Sequence, residues 1–120
     1  MSITWTEEAE SQLRGTSAIL QQNTASFGAS DYVTGGYPVY PASFGLSAIR
    51  SLWIGGVSAT GAGTPGSVEW EAVAPAVAGP ANSNPWYLKA GYHGTGNVWN
   101  ESASNSNFSG GTLRVLAFGY

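Results

Sequence analysis

Glu69 and Glu71 are the residues whose type and spacing come closest to a catalytic pair. They stand two apart in SVEWEAV, which places both carboxylates on one face of an extended strand, roughly 6.7 Å apart along the backbone. Two carboxyl groups about 5–9.5 Å apart can hydrolyse a glycosidic bond, one as acid and the other as nucleophile or base. That chemistry needs one of the two desolvated, so that it holds a proton at neutral pH. The alternation argues against it. Val68, Trp70 and Ala72 form the apolar face, and Glu69 and Glu71 fall together on the polar one. The pair reads as a solvated strand face, and a hydrolase is the third-ranked expectation.

The other chemical candidates are weaker. His93 is the single histidine and lies in a turn-like YHGTG segment. A triad would need a nucleophile and an acid held against it. Glu101, eight positions on, is the nearest acid in sequence, and no G-x-S-x-G elbow occurs. Residues 61–66, GAGTPG, match G-x-G-x-x-G. A dinucleotide site of that type requires a helix N-terminus directly after the loop, but here Pro65 removes an N–H and a strand pattern follows. With no cysteine and one histidine, a metal site would need clustered carboxylates, which the sequence does not show. The sequence therefore reads as a non-enzyme with no metal or cofactor.

Composition sets the class. The 120 residues suit one domain, large enough for a core without staples. Only 9% are charged, against roughly 25% in ordinary domains. Seventeen glycines and five tryptophans accompany that low charge. Such a chain keeps itself in solution with Ser, Thr, Asn and Gly, which suits a surface partly covered by neighbours. Net charge is −3, and Arg14, Arg50, Lys89 and Arg114 are scattered. No basic stripe is available for phosphates, so nucleic acid is not an expected partner. The opening MSITWTEEAESQL is acidic and has neither the basic nor the apolar region of a signal peptide. No apolar run approaches 18 residues, so no membrane partner is expected.

The elements that must position these residues are strands. Residues 15–23, 46–57, 67–73, 85–92 and 112–118 carry strand patterns, with a short strand near 97–100. In residues 85–92, Trp86, Leu88 and Ala90 oppose Tyr87 and Lys89. In residues 112–118, Leu113, Val115 and Ala117 oppose Arg114, Leu116 and Phe118. Leu52, Trp53 and Ile54 form an apolar centre, expected to be buried on both faces. Residues 74–84 and 101–111 read as a long loop and an exposed polar loop. Residues 5–13 resemble a short amphipathic turn, with Thr4 or Thr6 as cap and Glu7, Glu8 and Glu10 in the first turn. The expected fold is all-β: an antiparallel sandwich or barrel formed by residues 13–120, with residues 1–12 as an N-terminal tail.

Trp53, Trp70 and Trp86 are assigned to the core. Trp5, Tyr37, Tyr40, Tyr87, Trp99, Phe108 and Tyr120 fall in tails, loops or opposite faces, where they suit a protein partner better than a sugar. Residues 31–41, DYVTGGYPVYP, form a stiff connector. Pro38 and Pro41 lock φ and push Tyr37 and Tyr40 toward extended backbone. Gly35 and Gly36 permit a turn with positive φ.

Residues 31–46, DYVTGGYPVYPASFGL, followed by SAIRSLWI, resemble a "SYPTGGxPLTPxxLGL"-like segment of small structural proteins of tailed bacteriophages, usually encoded near the major capsid protein. VEWEAV, PWYLKAGY and the closing TLRVLAFGY are similar to that family in order and spacing, so the resemblance covers about residues 15–120. The tryptophan-rich strands and acidic N-terminus depart from it. The resemblance implies a β-rich capsid decoration or minor virion protein on the capsid surface. Its expected partner is the major capsid protein, and it would act as a homo-oligomer, a trimer being favoured. Trp5, Tyr37, Pro38, Tyr40 and Pro41 are the expected contact residues, since stiff aromatic segments offer area at low ordering cost. The alternative expectation is a carbohydrate-binding, tail- or fibre-associated sandwich that uses Trp99, Tyr92 and His93.

Overall fold

Period-2 alternation makes the central strands, because successive side chains on an extended backbone point to opposite faces. The chain's structure, a computed structural model, describes residues 3–14, 18–59, 61, 63–75 and 85–120, with backbone alone at 8–14. Eight strands lie among them: β1 (Ile3–Arg14), β2 (Ile19–Phe27), β3 (Tyr37–Val39), β4 (Ile49–Val57), β5 (Glu69–Val73), β6 (Trp86–His93), β7 (Trp99–Glu101) and β8 (Thr112–Gly119). Sheet A runs in the order β1-β2-β8-β4. Sheet B runs β3-β6-β5, with β7 also paired to β6. Every pairing is antiparallel. The fold is therefore the expected all-β sandwich.

The core forms between the inner faces. Ala25 and Phe27 of β2, Leu52 of β4 and Leu113, Val115 and Ala117 of β8 meet Tyr37, Val39, Leu88 and Ala90 of sheet B. Trp70 stacks on Phe27 at 5.1 Å and 12°, and its indole N–H donates to Pro65 O. The alternation read in SVEWEAV, PWYLKAGY and TLRVLAF is kept, with Trp70, Leu88, Ala90, Leu113, Val115 and Ala117 turned inward.

Three expectations change. The N-terminal segment is neither a tail nor a helical turn. From Ile3 onward it is edge strand β1, paired with β2 from Ile3↔Phe27 to Arg14↔Ile19. Its register breaks between Glu7 and Gln12, where the four intervening residues of β1 face only Gln22. A bulge of that size disrupts an otherwise long exposed edge and discourages edge-to-edge association. Next, Trp53 is not core: half its surface is exposed while its neighbour Leu52 is buried. β4 is an edge strand of sheet A, and among the described residues no strand lies over its outer side. Lastly, the loop after β7 is not a free polar loop. Phe108 is buried and meets Trp70 and Tyr32 edge-on at 5.3 and 5.6 Å. Of the expected loop at 74–84, residues 76–84 lie outside the described residues.

Candidate functional site

The stiff connector folds inward. Gly36 N–H donates to Val33 O at 2.9 Å and closes a turn. Gly35 and Gly36 adopt φ of 109° and 97°, and a Cβ on Gly36 would lie 2.6 Å from Leu88 O. The turn delivers Tyr37 onto β6, opposite Leu88. Tyr37 is fully buried, with its ring 4.8 Å from Phe27, and its hydroxyl donates to Asp31 Oδ1 at 2.5 Å. Pro41 is also buried, at the first position of the short 3-10 helix Pro41–Phe44. Trp5 is half-buried, with its ring edge-on to Phe44 at 4.8 Å. Pro38 is half-buried, paired with Tyr87. Of the five expected contact residues, only Tyr40 is exposed. Tyr37 and Pro41 are thus core residues of the sandwich and cannot be docking residues of an open arm.

The same connector is stitched to the segment after β7. Asn105 N–H donates to Tyr32 O at 2.6 Å, and Thr34 N–H to Ser104 Oγ at 3.1 Å. Gly35 N–H points between both oxygens of the Glu101 carboxylate, at 3.0 and 3.2 Å. Glu101 therefore joins β3 and β7, two short strands on the same side of β6.

Burial of Tyr32 and Tyr37 carries a pH signature. Burial is the main cause that lifts the Tyr32 hydroxyl from 10.0 to about 12, although the Ala90 N–H that it accepts opposes the rise. Burial, then the Asp31 carboxylate, pushes Tyr37 up further. In the unfolded chain both would ionise near pH 10. Folding then binds protons that the unfolded chain releases, so this stability is complete below pH 10 and is lost as pH rises toward the folded values. Each tyrosine should remove up to about 1.4 kcal/mol per pH unit above pH 10. Urea unfolding at pH 7, 10 and 11 should show this loss, and Tyr32→Phe should flatten it.

The catalytic candidates are placed as follows. Glu69 and Glu71 both lie on the solvent face of sheet B. Glu69 faces His93, with Oε2 2.5 Å from Nδ1. The fold thus gives His93 a partner 24 positions away, while Glu101, the nearest acid in sequence, serves Gly35 and Lys89 instead. The last two residues of GAGTPG open the three-residue 3-10 helix Pro65–Ser67, and β5 follows, so no α-helix N-terminus stands after it. Thr64 Oγ1 donates back to Gly61 O at 2.7 Å, which holds the segment as a turn. Among the described residues, no group of three His, Cys, Asp or Glu side chains could hold a metal ion.

Two outer faces remain, and both differ from the sequence expectation. On sheet A, Trp53 pairs with Leu116, and Phe118 pairs with Leu20 and Ser51. Leu116 lies across Gly55, where a Cβ would come 2.7 Å from its Cδ1. A hollow of about 570 Å³ lined by Ala18, Arg50, Phe118 and Tyr120 lies at one end. Another of about 450 Å³, which includes Thr24, Gly56 and Arg114, lies at the other. Arg50 sits 5.0 Å above the Tyr120 ring. Exposed Trp53 beside half-buried Leu116, between two hollows and with two arginines, is a shaped apolar surface. The apolar run at residues 52–54 was its only sequence signal, and that run reads as core.

On sheet B, the Trp99 indole packs over Gly91, where a Cβ would lie 2.6 Å from its Cε2. Glu69 and Glu101 pair with Gly91 from either side, and His93 pairs with Trp99. Lys89 stands 3.5 Å from Glu101. Tyr92 points to the opposite side of β6 from His93, as alternation requires. No protein-family model, curated protein or solved structure matches this chain.

Proposed function

We propose that this chain is a virion structural protein, a decoration protein that binds the major capsid protein lattice at the capsid surface as a homo-oligomer, a trimer being favoured. The resemblance of residues 31–54 and of the closing strands to small phage structural proteins motivates the class. The observation that carries the reading is the exposed Trp53 beside half-buried Leu116 on the outer face of sheet A. It replaces the connector as the docking element, because Tyr37 and Pro41 are used up in the core.

Tryptophan at the centre of an apolar patch is the residue type that most often dominates a protein interface. Arg50 and Arg114 flank this pair, so the face suits a neutral or acidic partner surface. A protein that binds only the assembled shell stabilises it by mass action.

Occupancy on capsids assembled from the major capsid protein of the same virus tests the reading. Trp53→Ala should lower affinity at least about thirtyfold, the loss typical of a central aromatic contact. Undiminished occupancy, with the variant's fold intact by circular dichroism, would overturn the assignment of this face.

A further inference from the structure

We propose that the outer face of sheet B binds a neutral β-linked pyranoside, with the Trp99 indole as the stacking plane and Glu69 and His93 as its hydrogen-bonding edge. The site is independent of capsid docking, which uses the opposite sheet.

The charge distribution motivates this. The chain has four Lys and Arg, seven Asp and Glu and one His. Five of these twelve residues, Glu69, Glu71, Lys89, His93 and Glu101, belong to the outer face of this one small sheet. In sequence they are spread over 33 positions, and only strand pairing gathers them. The aromatic residue at their centre sits on glycine. Gly91 leaves room for the indole to lie against the sheet, and any larger residue would lift it. The plane is therefore held in place before a ligand arrives, which lowers the ordering cost of binding.

The groups match a sugar ring. The face of an indole is electron-rich and attracts polarised C–H groups, and an all-equatorial β-pyranoside presents a flat row of axial C–H bonds. Around that plane the hydroxyls need acceptors and donors. Glu69 and His93 pair with each other through Oε2 and Nδ1, which leaves Glu69 Oε1 and His93 Nε2 for a ligand, and their side chains are 57% and 43% exposed. Lys89 and Glu101 are less exposed, at 32% and 15%, and pair with each other. Both pairs are closed internally, and the lower exposure of Lys89 and Glu101 makes them a wall behind the Glu69–His93 edge. Among the described residues, the Trp99 indole N–H has no acceptor, whereas those of Trp70 and Trp86 donate to Pro65 O and Ile49 O.

Net charge selects the sugar class. Three carboxylates outnumber Lys89 and His93 together, so the face is negative. Acidic saccharides are repelled and neutral ones are not.

The test is an NMR titration of the full chain, following the Trp99 indole N–H resonance, assigned by its loss in Trp99→Phe, and the backbone amides of Gly91 and His93, which every variant keeps. Cellotetraose and chitotetraose are the probes. At least one should shift this resonance in a saturable way below about 10 mM, an affinity suited to a shallow platform. Trp99→Ala should weaken binding about tenfold or more, and Glu69→Gln should weaken it with the fold unchanged. A Trp99 resonance unmoved by both probes would overturn the proposal. So would unchanged affinity in Trp99→Ala. Tetragalacturonate binding as tightly as the neutral probes would overturn the assignment to a neutral sugar. If Trp99→Ala does not fold, Trp99→Phe decides: its smaller plane should bind more weakly than the native indole, and equal affinity counts against stacking.

Discussion

Tyr37→Ala should destabilise the fold by about 3–5 kcal/mol, the range for truncation of a fully buried aromatic. Tyr37 is sealed in the core, with rings of Phe27 and Tyr32 at 4.8 and 5.5 Å. Its removal leaves a cavity that the short strand β3 cannot close without breaking its pairs with β6. It also removes the donor to Asp31. Tyr37→Phe isolates that second effect. It keeps the ring and should cost about 1.5–3 kcal/mol, as expected for a hydrogen bond to a charged group. Tyr40→Ala, three residues on at a 38% exposed position, should cost well under 1 kcal/mol. Urea denaturation of the three variants gives the comparison. A Tyr37→Ala protein of native stability that no longer binds capsids would restore the connector as a docking arm.

Gly119→Ala should be nearly as damaging, at about 3 kcal/mol or more. Gly119 lies in β8 between Ile19 of β2 and Ile49 of β4. A Cβ there would overlap the carbonyl oxygen of Ala48 and crowd Ile49 Cα at 3.2 Å. The obstacle is backbone, so no rotamer change relieves it. Nor can Ala48 move freely. Its N–H donates to Tyr120 O, and its carbonyl accepts from Tyr120 N–H at 3.2 Å. The clash must therefore open the β4–β8 pairing or shift the last residues of the chain. Thermal unfolding should show a fall of roughly 10 °C or more. The neighbouring hollow at Arg50, Phe118 and Tyr120 should also change shape. Gly45→Ala makes the contrast: no atom lies within 4 Å, and only the strain of φ 68° remains, worth about 1–2 kcal/mol.

The strands that define the sandwich were legible because their alternation is local. SVEWEAV, PWYLKAGY and TLRVLAF each state which residues share a face, and the structure keeps those assignments. β1 was not legible. Its acids resemble the first turn of a helix, and only pairing with β2 makes ITWTEE a strand. β3 was hidden for a similar reason. Three residues containing a proline carry no alternation, and β3 forms because β6 offers it an edge.

The candidate sites were less legible still. Glu69, His93 and Trp99 could each be named from sequence, but the pairing of Glu69 with His93 depends on β5 lying beside β6. Glu101 gave no sign that it would clamp Gly35. Trp53 and Tyr37 exchanged roles outright. Trp53 lies in an apolar run that reads as core and Tyr37 in a Gly/Pro connector that reads as exposed, and neither local pattern contains what packs against it.

What the sequence determined by itself was the strand character of most of the chain and the two-sided division of its central strands. Those follow from the period of an extended backbone, which each segment carries alone. Only the tertiary structure decided which apolar side lies beneath a second layer. Trp53 is open because it lies on the outer face of sheet A, over which no strand packs among the described residues, and Tyr37 is closed because the Gly35-Gly36 turn lays it between the two sheets. Burial depends on neighbours in space, and no local pattern contains them.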